Sequence, residues 1–398
     1  MRVKKFASLL VIMVMICCVF TTQAENKEPI KIGVLIERSG ALETWGYQEE
    51  CGLLLGFKYA TDNTMTIDGR PIELIIEDTT SAVNVGVQKA TKLVETDKVD
   101  ILTGTTNSSI ALAVMEIAKQ HEVPYIISCA AANGITGENF NVYTFQIGRT
   151  VRQVSLANAD YLPELGSKFA ILYPDYAGGI DFANSWAEDV HNKGLEVIYQ
   201  EYAPLDCSDF TPWLKAIKDA GPDAGIIGLI GNAFSVKLPQ QIKEMNMLKT
   251  GIEWIADFAD REFYRGIGAS GVGMKGTTMY YYSLFDTPEN KWFVAEHQKE
   301  YGENPDLWAG NSFNGAIAIV EGIRKAGGTD ANALISALEG MTFRGCRGEM
   351  TIRAEDHLTL QPLPFVELQD LGAGYPEPVL IEMISAENCT PEITAPGR

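Results

Sequence analysis

Short apolar segments alternate with longer amphipathic segments from Ile30 onward. Several of the short segments are continuously apolar, which is typical of strands that are buried on both faces of a sheet. They recur roughly every 25 to 40 residues, which leaves room for a helix between successive strands. The predicted strands span residues 30–36, 72–77, 100–103, 124–128, 169–173, 196–201, 224–230 and 253–256.

The amphipathic segments between these strands predict helices. The first begins after Thr44, which is a suitable N-cap, and carries Glu49 and Glu50 in or just after its first turn. An alternation of strand and helix predicts parallel sheets with right-handed crossovers. The later predicted helices span residues 83–97, 109–121, 154–165, 179–193, 210–220, 233–245, 291–301, 312–326 and 331–338.

Two strand–helix runs are visible, from residue 30 to about 145 and from residue 169 to about 256. The pattern then changes to long helices and strand candidates at 279–284, 348–353 and 364–368. A chain of 398 residues exceeds a single typical core, so two domains are expected. We therefore predict an α/β protein with two doubly wound parallel-sheet lobes, completed by the last third of the chain.

The N-terminus predicts export. Basic residues at Arg2, Lys4 and Lys5 precede an apolar stretch over 6–20 and a small-residue cleavage site that ends at Ala24. These are the parts of a secretory signal peptide, here residues 1–24, and the apolar stretch is short for a membrane-spanning helix. A lipid anchor on one of two adjacent cysteines, at 17 and 18, is the alternative. The expected location is periplasmic or otherwise extracytoplasmic.

Charge and cysteine content narrow the function classes. The formal charge is −20, and since the leader holds three basic and no acidic residues, the remainder carries −23. Such acidity argues against nucleic acid and anionic lipid as partners. The mature cysteines are far apart and form no C-x-x-C motif, which disfavours zinc, although one or two disulfides are possible. They are Cys51, Cys129, Cys207, Cys346 and Cys389.

In open parallel α/β sheets, ligands bind beyond the carboxyl ends of the strands. Trp45 follows the first strand and could cover an apolar ligand face or belong to the core. Residues 104–109 follow another strand and place hydroxyls at a helix start, which suits an anion, although Asn107 or Ser108 could act only as an N-cap. Residues 129–133 form a loop of mostly small residues after the predicted strand 124–128, and this loop is expected to leave backbone N–H groups without internal hydrogen-bond partners.

The second run offers matching loops. Residues 173–179, which include Tyr176, follow one strand, and residues 231–233 and 257–260 follow two others. Loops of this kind in both halves are what a cleft between two lobes requires.

Catalytic and metal-binding interpretations are weaker. The four histidines are dispersed, and the chain contains no H-E-x-x-H, Walker or G-x-S-x-G motif. Residues 266–271 match G-x-G-x-x-G only by letters, because they do not follow a strand in a βαβ unit. An enzyme would have to use Asp175 and Asp257 as a carboxylate pair, with no nucleophile–base arrangement beside them. We expect no catalysis, no cofactor and no metal.

The chain resembles type I periplasmic binding proteins, specifically the leucine/isoleucine/valine-binding family of ABC importer receptors. The resemblance covers about residues 30–368, and its order and spacing are more specific than any one stretch. The stretches that carry it are residues 32–35, 39–40, 45–46, 104–109, 123–128, 145–149, 173–179 and 309–318.

This resemblance implies three crossings between the lobes, near residues 145–149, 277–282 and 348–358. It places the N-terminal lobe at 25–148 plus about 280–355, the C-terminal lobe at 149–279 plus about 356–384, and a tail at 385–398. It also implies a small-molecule ligand, ABC permease subunits as partners, and contact with the membrane only through them. The predicted ligand-binding residues are Trp45, Ser108, Ser109, Ala130, Ala131, Tyr176, Asn232, Asp257 and Phe258.

Two departures from the family pattern concern the ligand. The usual threonine of the small-residue loop is Ala132, and the acidic residue that holds an amino acid's ammonium aligns near Phe258, beside Asp257 and Asp260. Trp45, Tyr176 and Phe258 together could bind a quaternary ammonium or cover an aromatic carboxylate. The expected ligand is therefore a branched-chain amino acid-like compound, an amide, a betaine or an aromatic carboxylate. A receptor that signals on the same fold is the alternative to transport.

Overall fold

The computed structural model describes residues 27–231, 233–258 and 261–397. The predicted leader, Asn232 and Asp260 therefore lie outside the described residues. Among the helices of the described ranges, none combines the length and the apolar character that crossing a bilayer would need.

The first sheet forms the core of a lobe that we call the N-lobe. Its six strands lie in the order β2-β3-β1-β4-β5-β6 and are parallel apart from the short β2–β3 hairpin. The strands are β1 (Ile30–Ile36), β2 (Thr66–Ile67), β3 (Arg70–Asp78), β4 (Ile101–Gly104), β5 (Tyr125–Ile127) and β6 (Thr144–Gln146). The helices between them are α1 (Glu43–Ala60), α2 (Val83–Glu95) and α3 (Ser108–His121).

The chain then builds a second lobe, the C-lobe, around another largely parallel sheet. Its helices are α4 (Val151–Ala159), α5 (Leu162–Leu165), α6 (Ala177–Asn192), α7 (Thr211–Ala220), α8 (Leu238–Glu244) and α9 (Arg261–Ile267). Its first strands are β7 (Lys168–Pro174), β8 (Glu196–Ala203), β9 (Ala224–Ile227), β10 (Glu253–Ala256) and β11 (Lys275–Thr277).

The last third of the chain returns to both lobes. Helices α10 (Pro288–Tyr301), α11 (Leu307–Ala326) and α12 (Ala331–Leu338) complete the N-lobe, and β12 (Thr342–Gly345), β13 (Gly348–Ile352) and β14 (Thr359–Leu360) form a small antiparallel sheet. Strands β15 (Leu363–Gln369) and β16 (Glu377–Ile384) then join the C-lobe sheet, whose order is β16-β15-β11-β10-β9-β7-β8, before the short helix α13 (Ala386–Cys389).

Close packing of α1 against α11 anchors these returning helices. A side chain on Gly52 would come within 2.0 Å of the Ala309 carbonyl oxygen, and one on Gly56 within 2.5 Å of the Phe313 carbonyl oxygen. Glycine at both positions lets the two backbones approach. The start of α11 is thereby fixed beside the start of α1, at the edge of the N-lobe that faces the C-lobe.

The chain passes between the lobes after β6, after β11 and between β14 and β15. The third passage lies at residues 361–362, later than the crossing expected near 348–358. The candidate strand at 279–284 is absent, because that segment leaves the sheet and buries Tyr280 and Tyr281 instead. Strand β16 was not predicted, although most of its residues after Pro378 are apolar; it is the edge strand of the sheet, and Leu380 and Ile381 are exposed.

Two local expectations also differ from the structure. Helix α1 begins at Glu43 with Leu42 in the N-cap position and no side-chain cap bond, so Thr44 lies inside the helix. The five mature cysteines in the described residues are all free and buried, and none forms the disulfide that an exported chain could have used.

Candidate functional site

A cavity lies between the lobes, where strand ends of both sheets meet. The side chains leave about 10 Å³ of free space at its centre, close to the room that one water needs. A larger solute therefore requires the lobes to part or side chains to move. The cavity is lined by Trp45, Thr106, Cys129, Ala131, Arg149, Tyr173, Tyr176, Phe182, Leu229, Ile230, Asp257 and Trp308.

Aromatic side chains form most of the walls. On the N-lobe side, Trp45 at the start of α1 stacks on Trp308 at the start of α11, with ring centroids 4.2 Å apart. On the C-lobe side, Tyr173 at the end of β7 stacks on Phe182 of α6, with centroids 5.5 Å apart. These four rings are buried, so the cavity offers flat apolar faces from both lobes.

Arg149 supplies the positive charge of the cavity. It follows β6 at the first passage between the lobes, and its side chain is 3% exposed. Its Nη2 donates to Asp257 Oδ2 at 3.2 Å, and its guanidinium carbon lies 5.2 Å from the centre of the Trp308 ring. Nε and Nη1 have no hydrogen-bond partner among the residues that the structure describes. A buried guanidinium with two unused donors is costly, and an anionic ligand would supply the missing acceptors.

Asp257 follows β10 and faces Arg149 across the cavity. Burial raises the pKa of the Asp257 carboxyl above its ordinary value, and the opposing attraction of Arg149 only partly offsets this effect. Its second oxygen, Oδ1, has no partner within the described ranges. Arg149 and Asp257 together thus place two unused donor nitrogens and one unused acceptor oxygen close to each other in the cavity.

Two further acidic residues, Glu37 and Glu49, are buried in the N-lobe. Glu37 accepts hydrogen bonds from the hydroxyls of Thr79, Thr105 and Thr106 and from the backbone N–H of Thr106. Burial, and then the nearby Glu37 carboxylate, hold the pKa of Glu49 well above its ordinary value. Burial and the neighbouring acid therefore both favour the protonated form of Glu49.

Cys129, which lines the cavity, has a thiol whose ionisation is disfavoured. Burial and the adjacent Glu49 raise the pKa of its thiol well above the ordinary value. The thiol donates to the Trp308 carbonyl oxygen at 3.6 Å. Because only a thiolate attacks efficiently, these surroundings disfavour Cys129 as a nucleophile.

The structure brings several predicted residues together at the cavity and places others beside it. Trp45, Ala131, Tyr176 and Asp257 line it. Ser109 bridges the lobes instead, since its hydroxyl accepts from the Ala177 backbone N–H at 3.3 Å.

The loop of small residues after β5 uses backbone N–H groups in hydrogen bonds within the N-lobe, although these groups were expected to be free to bind a ligand. Ala130 N–H donates to the Thr105 carbonyl at 3.0 Å, and Ala131 N–H donates to the Ser108 hydroxyl at 3.2 Å. The Ala130 carbonyl accepts from Gln146 at 2.7 Å. Ser108 and Ala130 therefore support the cavity wall without lining it.

Phe258 does not face the cavity. It is fully buried in the C-lobe core, where its ring stacks on Phe263 with centroids 5.6 Å apart. Asp257 and Phe258 are consecutive residues beyond β10, and consecutive side chains of extended backbone point in opposite directions. Asn232 lies outside the described residues.

Arg149 and Trp308 are among the cavity residues that were not predicted from the sequence. Arg149 stands in a stretch identified only as a crossing, and the signal that points to it is a single basic residue among apolar and small ones where the lobes join. Trp308 starts a helix in the last third of the chain, far from the strand ends that were considered.

The sequence model of the family described as periplasmic binding protein matches residues 29–373. The chain belongs to this family. Leu/Ile/Val-binding protein homolog 6 of Brucella suis is 26% identical over 344 residues, which are 84% of this chain and 87% of that protein. Membership confirms the family expected from the sequence and implies an extracytoplasmic location.

Solved structures agree with this assignment. An ABC-type branched-chain amino acid transporter protein of Rhodopseudomonas palustris is 31% identical with a TM-score of 0.77, covering 92% of this chain and 99% of that one. A solute-binding protein of an ABC transporter from R. palustris BisB5, in complex with 3,4-dihydroxybenzoic acid, is 28% identical with a TM-score of 0.83, covering 90% and 98%. The two-lobed α/β fold of this binding protein is thereby confirmed.

Proposed function

We propose that this protein is the solute-binding receptor of an ABC importer and that its ligand is a small aromatic carboxylate. The observation that carries the proposal is Arg149, a buried guanidinium with two donors unused by the described residues, between aromatic walls from both lobes. The receptor delivers its solute to permease subunits and does not turn it over.

The chemistry of the cavity fits the two ends of such a ligand. A carboxylate accepts charge-assisted hydrogen bonds from a guanidinium, which are about twice as strong as neutral ones. A benzene ring stacks on indole or phenol faces, and such ring pairs contribute about 0.5–1.5 kcal/mol beyond the burial of area. Trp308 and Phe182 lie beside the Arg149 guanidinium. The ring of an aromatic carboxylate bound to Arg149 would therefore lie against aromatic faces.

The BisB5 relative, whose structure contains 3,4-dihydroxybenzoic acid, supports this ligand class. Its identity of 28% over 90% of this chain makes a related ligand reasonable. A phenolic hydroxyl on the ring would find an unused hydrogen-bonding group in Tyr173 Oη, which has no partner among the described residues.

An α-amino acid is the second candidate. Asp257 Oδ1 is unused beside Arg149, so the pair could take the ammonium and the carboxylate of one zwitterion. The Leu/Ile/Val-binding relative and the branched-chain amino acid transporter protein favour this class. Asp257 separates the two candidates, because it attracts an ammonium and repels a carboxylate.

Calorimetric titration of the wild type and Asp257→Asn tests the proposal. The panel is 4-hydroxybenzoate, 3,4-dihydroxybenzoate, L-phenylalanine, L-leucine and glycine betaine. An aromatic acid should bind the wild type and bind the variant as tightly or more tightly, since the variant loses a competing negative charge. Binding of an amino acid that Asp257→Asn abolishes would replace the first candidate with the second. Binding of betaine alone would contradict both.

The exported form is also part of the proposal. The basic, apolar and small-residue segments of residues 1–24 support cleavage after Ala24. Intact mass spectrometry of the protein from an exporting host should give a chain that begins at Glu25. A mass that includes a lipid on Cys17 or Cys18 would contradict this cleavage site.

A further inference from the structure

We infer that Arg261 of the C-lobe, together with Glu303 and Asp306 of the N-lobe, forms a latch that holds the lobes closed without touching the solute. The inference rests on the proposed function, because a latch matters only in a protein that closes around a ligand. Arg261 is thus a positioning residue, which acts on the ligand through the geometry of the cleft.

Arg261 makes three separate contacts across the interface between the lobes. It is the first residue of α9, and its Nη2 lies 3.1 Å from Glu303 Oε2. Its Nη1 donates to the Asn304 carbonyl at 3.1 Å, and its backbone N–H donates to Asp306 Oδ2 at 3.0 Å. All three acceptors belong to the segment between α10 and α11, so one residue of the C-lobe binds one short N-lobe segment.

Two of the acceptors, Glu303 and Asp306, are hydrogen-bonded to the helices that carry the stacked tryptophans. Glu303 Oε1 accepts from Gln48 at 2.9 Å, and Gln48 lies one helical turn beyond Trp45 in α1. Asp306 caps α11 by accepting from the Leu307 backbone N–H at 2.8 Å, immediately before Trp308. When the latch forms, it therefore fixes the two helix starts that carry the stacked tryptophans.

The latch is more protected from water than an ordinary surface ion pair. The side chains of Arg261 and Glu303 are 12% and 30% exposed. Exposed pairs contribute little, whereas partly buried pairs with additional hydrogen bonds are screened less by salt and lose more when one partner is removed. Contacts that exist only in the closed form contribute their whole free energy to the stability of that form relative to the open form.

The chain offers a matched control on the same helix. Arg265 pairs with Glu262 at 2.9 Å within α9, and both side chains are exposed. Arg261→Ala and Arg265→Ala remove the same charge from the same helix, but only the first removes a contact between the lobes. Glu303→Gln removes the charge of the latch from the other side.

Small-angle X-ray scattering of the dialysed protein tests the latch without a ligand. Arg261→Ala and Glu303→Gln should give a larger radius of gyration than the wild type, and Arg265→Ala should superimpose on it. Thermal unfolding followed by circular dichroism identifies a variant that fails to fold, in which case the other latch variant decides.

The second measurement is the dissociation rate of 4-hydroxybenzoate, followed by tryptophan fluorescence. Arg261→Ala should dissociate about tenfold faster, a coupling of ordinary size between two sites, with the association rate nearly unchanged. Scattering and dissociation that both match the wild type would overturn the latch. If the wild type binds no acid of the panel, the proposed ligand fails, and the scattering comparison alone decides about the latch.

Discussion

Trp45 and Trp308 stack with their ring centroids 4.2 Å apart, although one begins the first helix of the N-lobe and the other begins a helix from the last third of the chain. The stack exists because glycines of α1 let α11 approach along its length. Both rings line the cavity and form one of its aromatic walls. The proposed aromatic wall therefore depends on a contact between distant parts of the sequence.

Trp308→Ala should weaken binding of the aromatic acid by about tenfold or more, since it removes a ring beside the guanidinium. The buried cavity that it leaves should also lower the free energy of unfolding by about 3–5 kcal/mol. Trp292→Ala is the control, because Trp292 packs against Tyr59 and Phe313 on the far side of the N-lobe. Calorimetry should find unchanged affinity in the control, and an equal loss in both variants would contradict the assigned wall.

Arg149→Met should abolish detectable binding and also destabilise the protein. The variant leaves Asp257 buried without its cation, and removal of one partner from a buried pair costs about 3–5 kcal/mol. Adding Asp257→Asn should restore much of the stability without restoring binding. Urea denaturation and calorimetry separate these two effects. A double variant that binds the acid as tightly as the wild type would exclude Arg149 as the anion site.

Glu49→Gln should stabilise the protein increasingly as the pH rises. The pKa of Glu49 is held well above its ordinary value of 4.5, so above that pH the unfolded chain releases a proton that the folded protein keeps. The folded state then binds more protons, and wild-type stability falls by at most about 1.4 kcal/mol per pH unit until the folded pKa is reached.

Urea unfolding of wild type and Glu49→Gln at pH 5 and pH 8 measures this effect. The advantage of the variant should be larger at pH 8. Glu50→Gln is the neighbouring control, because Glu50 forms an exposed ion pair with Arg38 and should change stability by less than about 1 kcal/mol. A stability difference between Glu49→Gln and the wild type that does not change with pH would contradict a raised pKa of Glu49.

Gly178→Ala should impair closure. Gly178 is in the first turn of α6, where an added methyl group would come within 2.8 Å of both the Ser108 hydroxyl oxygen of the N-lobe and the Tyr176 hydroxyl oxygen of its own lobe. Alanine is the better helix former, which offsets the displacement of the Tyr176 ring that the methyl group requires within the C-lobe. The affinity for the solute should fall by about tenfold while the melting temperature without ligand stays within a few degrees. Unchanged affinity would mean that the lobes do not approach this closely when the solute binds.

The strands of both lobes could be predicted because they are continuous apolar runs. Ile30–Ile36 and Glu253–Ala256 have the predicted bounds, since a strand buried on both faces needs no alternation to be visible. The edge strand Glu377–Ile384 was missed although it is largely apolar, because it lies beyond the two strand–helix runs and pairs antiparallel with β15 at the edge of the sheet. Apolar character alone therefore did not identify every strand.

The site could be predicted only in part. Trp45, Tyr176 and Asp257 follow strands whose ends meet at the cleft, so topology places them there. Phe258 adjoins Asp257 but points into the core, because a change of one residue reverses the direction of a side chain. Arg149 lies where the chain leaves one lobe for the other, and sequence position alone does not reveal which way its side chain points.

A crystal structure of the protein with 4-hydroxybenzoate or 3,4-dihydroxybenzoate tests the central claim most directly. We expect the carboxylate within about 3 Å of the Arg149 guanidinium nitrogens, with the ring between the aromatic walls of the two lobes. An acid that lies outside the cleft, or that turns its carboxylate away from Arg149, would contradict the assignment.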